Sequence, residues 1–134
     1  FARWNAAMAW ETEGKRLDPA VLERGIRGVF EKPQRGFYLL AEREGAPVGG
    51  LLVTYEWSDW RNGDFWWIQS VYVEPAARRT GVFRALYDEV LRRARTAGAV
   101  GVRLYVEKEN TTAQAAYATL GMRESDYLMF EKLF

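Results

Sequence analysis

The dipeptide Asn62-Gly63 lies between two runs rich in aromatic and β-branched residues, TYEWSDW and FWWIQSVYV. Asn and Gly tolerate the positive φ angles of a type I′ turn, whose twist matches that of two antiparallel strands. This dipeptide therefore predicts a β-hairpin and leaves little freedom in how the two runs can pair. A second turn around Gly45 separates GFYLLAERE from PVGGLLVTYEW, so the centre of the chain is predicted to be a three-stranded antiparallel meander.

Two helices are predicted before the meander. Apolar residues recur at helical spacing up to Gly14, where the first helix ends. Asp18-Pro19 combines an N-cap with a proline at the first helical position, which predicts a second helix whose buried stripe reaches Phe30. The chain opens at Phe1 inside the first helix and without a methionine, so we expect the N-terminus to be truncated.

Four elements are predicted after the meander. Residues 81–98 have the apolar spacing of a helix, and VGVRLYV, residues 100–106, alternates as a strand does. A short helix is predicted over 111–120, and the apolar run YLMFEKLF, residues 127–134, is predicted to be a last strand. This order of elements predicts a single α/β domain over residues 1–134.

Composition removes several kinds of chemistry. The chain has no cysteine and no histidine, which excludes disulfides, thiol catalysis and the commonest metal ligand, and we expect no metal. Its 19 basic and 18 acidic residues nearly cancel, so no nucleic-acid partner is expected. No apolar run approaches the roughly 18 residues of a membrane helix, so no membrane partner and a cytoplasmic location are expected.

The stretch RRTGVFRALYDEV, residues 78–90, places two arginines and a glycine before a predicted helix. A helix N-terminus presents unpaired backbone N–H groups and the positive end of the helix dipole, and flanking arginines add charge. Such a turn is suited to an anion, best a pyrophosphate. The alternative interpretation, that Arg78, Arg79 and Arg84 only solvate an exposed helix end, is equally compatible with these residues alone.

Two motifs carry a resemblance to a known family. VYVEPAARRTGVFRAL resembles the acetyl-coenzyme A signature of the GCN5-related N-acetyltransferase (GNAT) family, in which a strand and a proline precede Arg/Gln-x-x-Gly-x-Gly/Ala. Arg78 and Gly81 match, whereas Phe83 replaces the usual glycine or alanine and is expected to point into the core. NTTAQAAYATLGM resembles the later motif of the family, with Asn110 and Tyr117 in place.

The resemblance implies a fold and a cofactor site. The fold would be α/β (α+β), with a mixed, largely antiparallel central sheet flanked by helices and with the first strand of the family absent from this chain. Acetyl-CoA would be the acetyl donor. Its pantetheine arm, its pyrophosphate and its reactive end would meet the following residues: Val71, Val73, Arg78, Arg79, Thr80, Gly81, Val82, Phe83, Arg84, Asn110 and Tyr117.

The same resemblance implies direct attack of an amine on the thioester. Tyr117 occupies the general-acid position of the family, and the alternative is a tyrosine that only packs in the core. The glutamate that some members place before the second motif is replaced here by Tyr105, so Glu56 is the candidate base, with an ordinary exposed carboxylate as the alternative. A backbone N–H near Val71 or Tyr72 would stabilise the oxyanion.

The acceptor and the assembly are less constrained. Carboxylates and tryptophans that would suit a cation are expected to line the acceptor site: Glu11, Glu13, Trp57 and Asp59. A small-molecule amine is the first candidate acceptor, and a protein N-terminus or lysine is the alternative. A non-catalytic acyl-CoA-binding module is a third possibility of a different class. The terminal apolar run and the frequency of symmetric dimers predict a homodimer.

Overall fold

Both central hairpins are present in the computed structural model, which describes all residues 1–134. Strands β1 (Gly36–Arg43), β2 (Ala46–Ser58) and β3 (Gly63–Val73) form the expected antiparallel meander. Strand β4 (Gly101–Arg103) adds to the free edge of β3 in parallel, so that the sheet has the order β1-β2-β3-β4. The predicted mixed and largely antiparallel sheet is confirmed.

The turn chemistry differs from the prediction in one respect. Ser58 pairs with Gly63, so β2 and β3 are joined by the four residues 59–62, and Asn62 alone has a positive φ of 48°. The two-residue turn predicted at Asn62-Gly63 is therefore wrong. A two-residue turn is found instead in the first hairpin, between the paired residues Arg43 of β1 and Ala46 of β2. Its residues Glu44 and Gly45 have φ of 52° and 75°, as a type I′ turn requires.

Four helices accompany the sheet: α1 (Ala2–Glu13), α2 (Pro19–Glu31), α3 (Val82–Thr96) and α4 (Thr111–Thr119). Asp18 caps α2 by accepting hydrogen bonds from the amides of Ala20 and Val21 at 2.8 and 3.1 Å. Phe30 was expected in the buried stripe of α2 but is 64% exposed, because only its ring face stacks, on Tyr38 of β1. None of these helices combines the length and the apolarity needed to span a bilayer.

The main core lies between one face of the sheet and helix α3. Leu51 and Val53 of β2 and Val90 of α3 are its most completely buried large side chains. These residues follow the period of their elements, since alternate residues of β2 point towards α3. The packing of α3 on the sheet places the N-terminus of this helix beside the end of β3, where the arginine-rich stretch lies.

Two predicted strands are corrected by the structure. The strand predicted over 100–106 is limited to Gly101–Arg103, because β4 pairs with β3 over only three residues. The strand predicted over 127–134 is absent: these residues form no backbone ladder, and Phe130 and Phe134 are almost fully exposed. A strand needs a partner for its N–H and C=O groups, and this segment has none. The homodimer expected from this segment stays a prediction.

Helix α1 is fastened to the sheet by a buried tryptophan. The Trp4 ring is 4% exposed and stacks on Tyr72 of β3 at 6.1 Å between ring centroids. Its Nε1 donates a hydrogen bond of 2.5 Å to Glu74, which also pairs with Arg3 at 2.8 Å. The hydrogen bond from Trp4, together with the Arg3 charge, lowers the pKa of Glu74 below its ordinary value of 4.5.

We expect Glu74→Gln to lower the melting temperature near neutral pH, because the amide keeps the shape but loses the charge that Trp4 and Arg3 bind. A carboxylate whose pKa is depressed by folding contributes stability above its unfolded pKa and loses it as the pH falls through the folded value. The gap between wild type and variant should therefore narrow as the pH falls below 4.5. Thermal melts at several pH values check this, and a gap that is independent of pH would contradict it.

Candidate active site

Strand β3 contains a β-bulge near its end. Gly50 of β2 pairs with Tyr72 and Leu52 pairs with Gln69, so Ser70 and Val71 together face the single residue between them on β2. Ser70 has a φ of 48°, in the left-handed region. A bulge re-aims the residues that follow it. Val71 and Val73 consequently pack their side chains against the core, and their backbone groups lie along the edge of the sheet.

The bulged part of β3 has a free edge. Strand β4 pairs with β3 only at Phe65–Trp67, and beyond this point the chain at 104–106 is no longer a strand. The backbone of β3 from residue 68 to residue 73 thus has no paired strand on this side. We call this opening the β3 groove. An extended ligand that carries amide groups can bind such an edge as an added strand would.

The β3 groove ends at the arginine-rich turn, residues 78–81. Arg79 and Gly81 have φ of 63° and 87°, and Gly81 is the N-cap of α3 without any side-chain cap. The amides of this turn and of the first turn of α3 therefore form a concave donor site for an anion. Thr80 stabilises the turn, since its hydroxyl donates to the Ala77 carbonyl at 2.7 Å and accepts from Arg43 at 3.0 Å.

The three arginines of this region have different environments. Arg79 is exposed, and Arg84 is exposed with a long ion pair of 3.5 Å to Asp88. The Arg78 side chain instead has partners within the chain: its Nε donates to the Val73 carbonyl at 3.0 Å and its Nη2 donates to Glu11 at 2.7 Å. Arg79 and Arg84 are thus the side chains available to an anion at this turn.

Tyr117 lies beside the start of α3. Its ring meets that of Phe83 edge to face, with 5.6 Å between centroids, and Phe83 also packs near Tyr87. The expectation that Phe83 points into the core is confirmed, because it packs against the buried cluster under α3. Burial raises the pKa of the Tyr117 phenol above its ordinary value of 10.0, so the phenol keeps its proton at neutral pH. Asn110 caps α4 through the Ala113 amide at 3.1 Å.

Glu56 lies at the closed end of the β3 groove. One carboxylate oxygen accepts from Arg103 of β4 at 2.8 Å, and the other accepts from Trp67 Nε1 of β3 at 2.9 Å. The carboxylate therefore joins β2, β3 and β4 where the pairing of β3 with β4 stops. Arg103 was not among the residues predicted from the sequence, although its place between apolar residues in the predicted strand 100–106 marks it as a polar residue that needs a partner.

A cleft of about 260 Å³ adjoins Glu56 at the end of the β2–β3 hairpin. We call it the hairpin cleft, and its lining consists of Glu56, Trp57, Ser58, Asp59, Trp60, Arg61, Phe65, Arg103 and Tyr127. Two guanidinium groups lie over the Phe65 ring, at 3.6 Å for Arg103 and 5.2 Å for Arg61. The cleft thus combines carboxylates, guanidinium groups and aromatic rings.

The predicted acceptor residues do not all meet in one place. Trp57 and Asp59 line the hairpin cleft, and Asp59 accepts a hydrogen bond from the Trp60 amide at 2.9 Å. Glu11 is bonded to Tyr72 and Arg78, and Glu13 forms an ion pair with Lys15. Neither Glu11 nor Glu13 lines the cleft. No group of His, Cys, Asp or Glu side chains is arranged to hold a metal ion.

Known proteins resemble the chain in sequence and fold. A mycothiol acetyltransferase of Corynebacterium aurimucosum is 31% identical over 120 residues, which are 87% of this chain and 40% of that protein. The crystal structure of a possible acetyltransferase from Clostridium difficile 630 is 44% identical with a TM-score of 0.92, covering 99% of this chain and 88% of that one. The structure of an aminoglycoside acetyltransferase from an uncultured soil metagenomic sample is 25% identical with a TM-score of 0.70, covering 90% and 77%.

The sequence profile of the Acetyltransferase (GNAT) family matches residues 3–122, nearly the whole chain. This match spans both motifs on which the resemblance was based, together with the β3 groove and the arginine-rich turn. The chain spans 40% of the length of the mycothiol acetyltransferase, so the match to that protein concerns one part of it. Its sequence, its fold and its two motifs agree: the chain belongs to the Acetyltransferase (GNAT) family.

Proposed function

We propose that the chain transfers the acetyl group of acetyl-CoA to a primary amine by direct attack. The observation that carries this proposal is the continuity of the β3 groove with the arginine-rich turn. A pantetheine arm has amides to pair with the free edge at Val71 and Val73, and a pyrophosphate suits the amides of residues 79–84. Arg79 and Arg84 add positive charge at the end of the groove where the pyrophosphate would lie.

The reaction needs an oxyanion donor, an acceptor for the amine proton and a proton for the leaving thiolate. In our proposal the neutral amine forms the new C–N bond, a backbone N–H near Val71 stabilises the oxyanion, and the C–S bond then breaks. Tyr117 gives its proton to the departing thiolate. Because burial raises the pKa of the phenol, Tyr117 still carries the proton that the thiolate needs at neutral pH.

We propose that Glu56 receives the amine proton through a water molecule. Both carboxylate oxygens already accept one hydrogen bond, from Arg103 and from Trp67. Each oxygen has a second lone pair, so a water can bind without breaking either bond. The position of Glu56 between the closed end of the β3 groove and the hairpin cleft supports this assignment.

The hairpin cleft is our candidate for the acceptor site, and a small-molecule amine is our candidate acceptor. Trp57 and Asp59 supply an aromatic face and a carboxylate, which suit a cationic group outside the reacting amine. Two of the similar proteins are described as acting on small molecules, an aminoglycoside acetyltransferase and a mycothiol acetyltransferase. These descriptions support a small molecule over a protein N-terminus or lysine.

A thiol-release assay with acetyl-CoA tests the function. The acceptor panel should contain amino sugars, polyamines and amino-acid amides, together with peptides that carry a free N-terminus or a lysine. We expect a small amine to release CoA well above the rate without acceptor. Release with peptides alone would favour the protein acetyltransferase, and acetyl-CoA binding without release by any acceptor would favour the non-catalytic binding module.

Removing the two exposed arginines at this site, one in the arginine-rich turn and one in the first turn of α3, should weaken the binding of acetyl-CoA. We expect Arg79→Ala with Arg84→Ala to raise the Kd about tenfold or more, the scale of a hydrogen bond to a charged group. Calorimetry at two salt concentrations should also show a smaller salt dependence, because fewer charges meet the phosphates. The matched control is Arg92→Ala with Arg95→Ala, which removes equal charge from the other end of α3. Equal affinity in both double variants would contradict the assignment.

A further inference from the structure

Glu11 connects helix α1 with the end of strand β3. It lies in the last turn of α1, and one carboxylate oxygen accepts from the Tyr72 hydroxyl at 3.2 Å. The other oxygen accepts from Arg78 Nη2 at 2.7 Å. The Arg78 guanidinium also lies over the Tyr72 ring, 5.4 Å from its centroid. Glu11 is 61 residues from Tyr72 and 67 residues from Arg78 in sequence, and the three side chains form one contact network.

Arg78 is the residue at which the chain enters the arginine-rich turn. It is extended, with φ −63° and ψ 148°, and Arg79 then reverses to a positive φ. The Arg78 Nε donates to the carbonyl of Val73, the last residue of β3, at 3.0 Å. One guanidinium thus holds both the end of the strand and helix α1. The direction in which the next amides point depends on how firmly this residue is held.

We propose that Glu11 and Arg78 are a positioning pair that orients the arginine-rich turn for the pyrophosphate of acetyl-CoA. The inference rests on the proposed function, because acetyl-CoA is the ligand that the turn would receive. Arg78 acts through its bonds to Val73 and Glu11, and Arg79 and Arg84 supply the charge that meets the phosphates. Helix α1 is thereby coupled to the cofactor turn, although it contributes no residue to that turn.

The competing role for Arg78 is direct contact with the phosphates, and the two roles differ in what they require. A direct contact with the phosphates needs a positive charge, which lysine also provides as a point charge. Positioning needs the forked guanidinium, because only its geometry spans the Val73 carbonyl and the Glu11 carboxylate together. Direct contact also contributes to the salt dependence of binding, whereas positioning by a pair of opposite charges does not.

Calorimetric titration with acetyl-CoA tests the inference. The variants are Glu11→Gln, Arg78→Lys, Arg78→Met and Glu11→Gln combined with Arg78→Met. The control is Glu23→Gln, which breaks a comparable exposed ion pair to Arg27 on α2. We expect each single variant to raise the Kd about two- to fivefold, the range of one partly exposed ion pair, and the control to leave it unchanged. The combined variant should have the same Kd for acetyl-CoA as Arg78→Met alone, because the effects of two residues that act through one contact do not add.

The outcomes separate the two proposals. If wild type does not bind acetyl-CoA, the proposed function fails and this inference fails with it. If wild type binds but Arg78→Lys binds as tightly, or if Arg78→Met flattens the salt dependence, Arg78 is a direct ligand and only the inference fails. Additive losses in the combined variant would overturn it as well. Glu11→Gln and Arg78→Lys change the size of the side chain little, and equal melting temperatures for wild type and these two variants would show that the losses come from the turn.

Discussion

Replacing Tyr117 by phenylalanine is expected to lower the rate of acetyl transfer about 10²- to 10⁴-fold, the usual range of a general acid. The variant keeps the ring, and with it the edge-to-face contact with Phe83 at the start of α3. Acetyl-CoA affinity and melting temperature should therefore change little. The rate should be measured in single-turnover reactions, because slow product release would hide a defect in the chemical step.

Tyr55→Phe is the matched control for this change. Tyr55 packs edge to face on Trp66 and is 37% exposed, so the variant removes a phenol near the hairpin while the ring contact remains. We expect it to react at the wild-type rate. If Tyr117→Phe also reacts at that rate, the thiolate leaves without help or takes its proton elsewhere, and Tyr117 is a packing residue only.

Leu51→Ala is expected to lower the free energy of unfolding by about 2 to 5 kcal/mol, the range for truncation of a buried leucine. Leu51 is completely buried in β2 and is the residue that faces Ser70 and Val71 across the bulge. The cavity left by the substitution would lie in the core, on the strand next to the bulge. Acetyl-CoA affinity should fall as well, because the bulge orients the backbone groups that line the β3 groove.

Denaturant unfolding of Leu51→Ala and of Leu40→Ala checks this expectation. Leu40 lies in β1 and is 46% exposed, so the same substitution there creates no internal cavity. We expect a loss below about 1 kcal/mol for this control, as is usual for surface changes. A similar loss of unfolding free energy in both variants would mean that the packing between the sheet and α3 does not stabilise the fold as proposed.

The fold could be predicted from local patterns wherever an element has its own start and stop signals. Asp18-Pro19 begins α2 and Gly81 precedes α3, as expected. The hairpins were also predicted, but the two-residue turn lies in the first of them, where Arg43 pairs with Ala46. The pairing of Ser58 with Gly63 leaves four residues in the second loop. A dipeptide signals that a turn occurs, whereas the register of the strands decides its length.

The terminal segment illustrates what an apolar run cannot predict. Residues 127–134 have the composition of a strand, yet strand formation requires a neighbouring ladder, and β4 is only three residues long. The β propensity of a residue depends largely on how its side chain packs against neighbouring strands, and those neighbours are determined by the tertiary structure. The same reason limits the strand predicted over 100–106 to Gly101–Arg103.

The candidate site was predictable where a motif is continuous in sequence. The arginine-rich turn before α3 and the packing of Phe83 in the core were predicted from the first motif. The bulge at Ser70 and the bonds of Glu11 and Glu56 were not, because they join residues that are far apart in sequence. Glu56 and Arg103, for example, are 47 residues apart and meet only because β4 adds to β3 in parallel.

Amide hydrogen exchange with and without acetyl-CoA tests most directly whether the β3 groove and the arginine-rich turn hold the donor. Bound acetyl-CoA should slow the exchange of the amides of residues 79–84 and of 70–73, since these are the groups proposed to bind the pyrophosphate and the pantetheine arm. The turn at Glu44-Gly45 provides an internal reference that should not change. Unchanged exchange at 79–84 when acetyl-CoA saturates the protein, or protection confined to the hairpin cleft, would contradict the account.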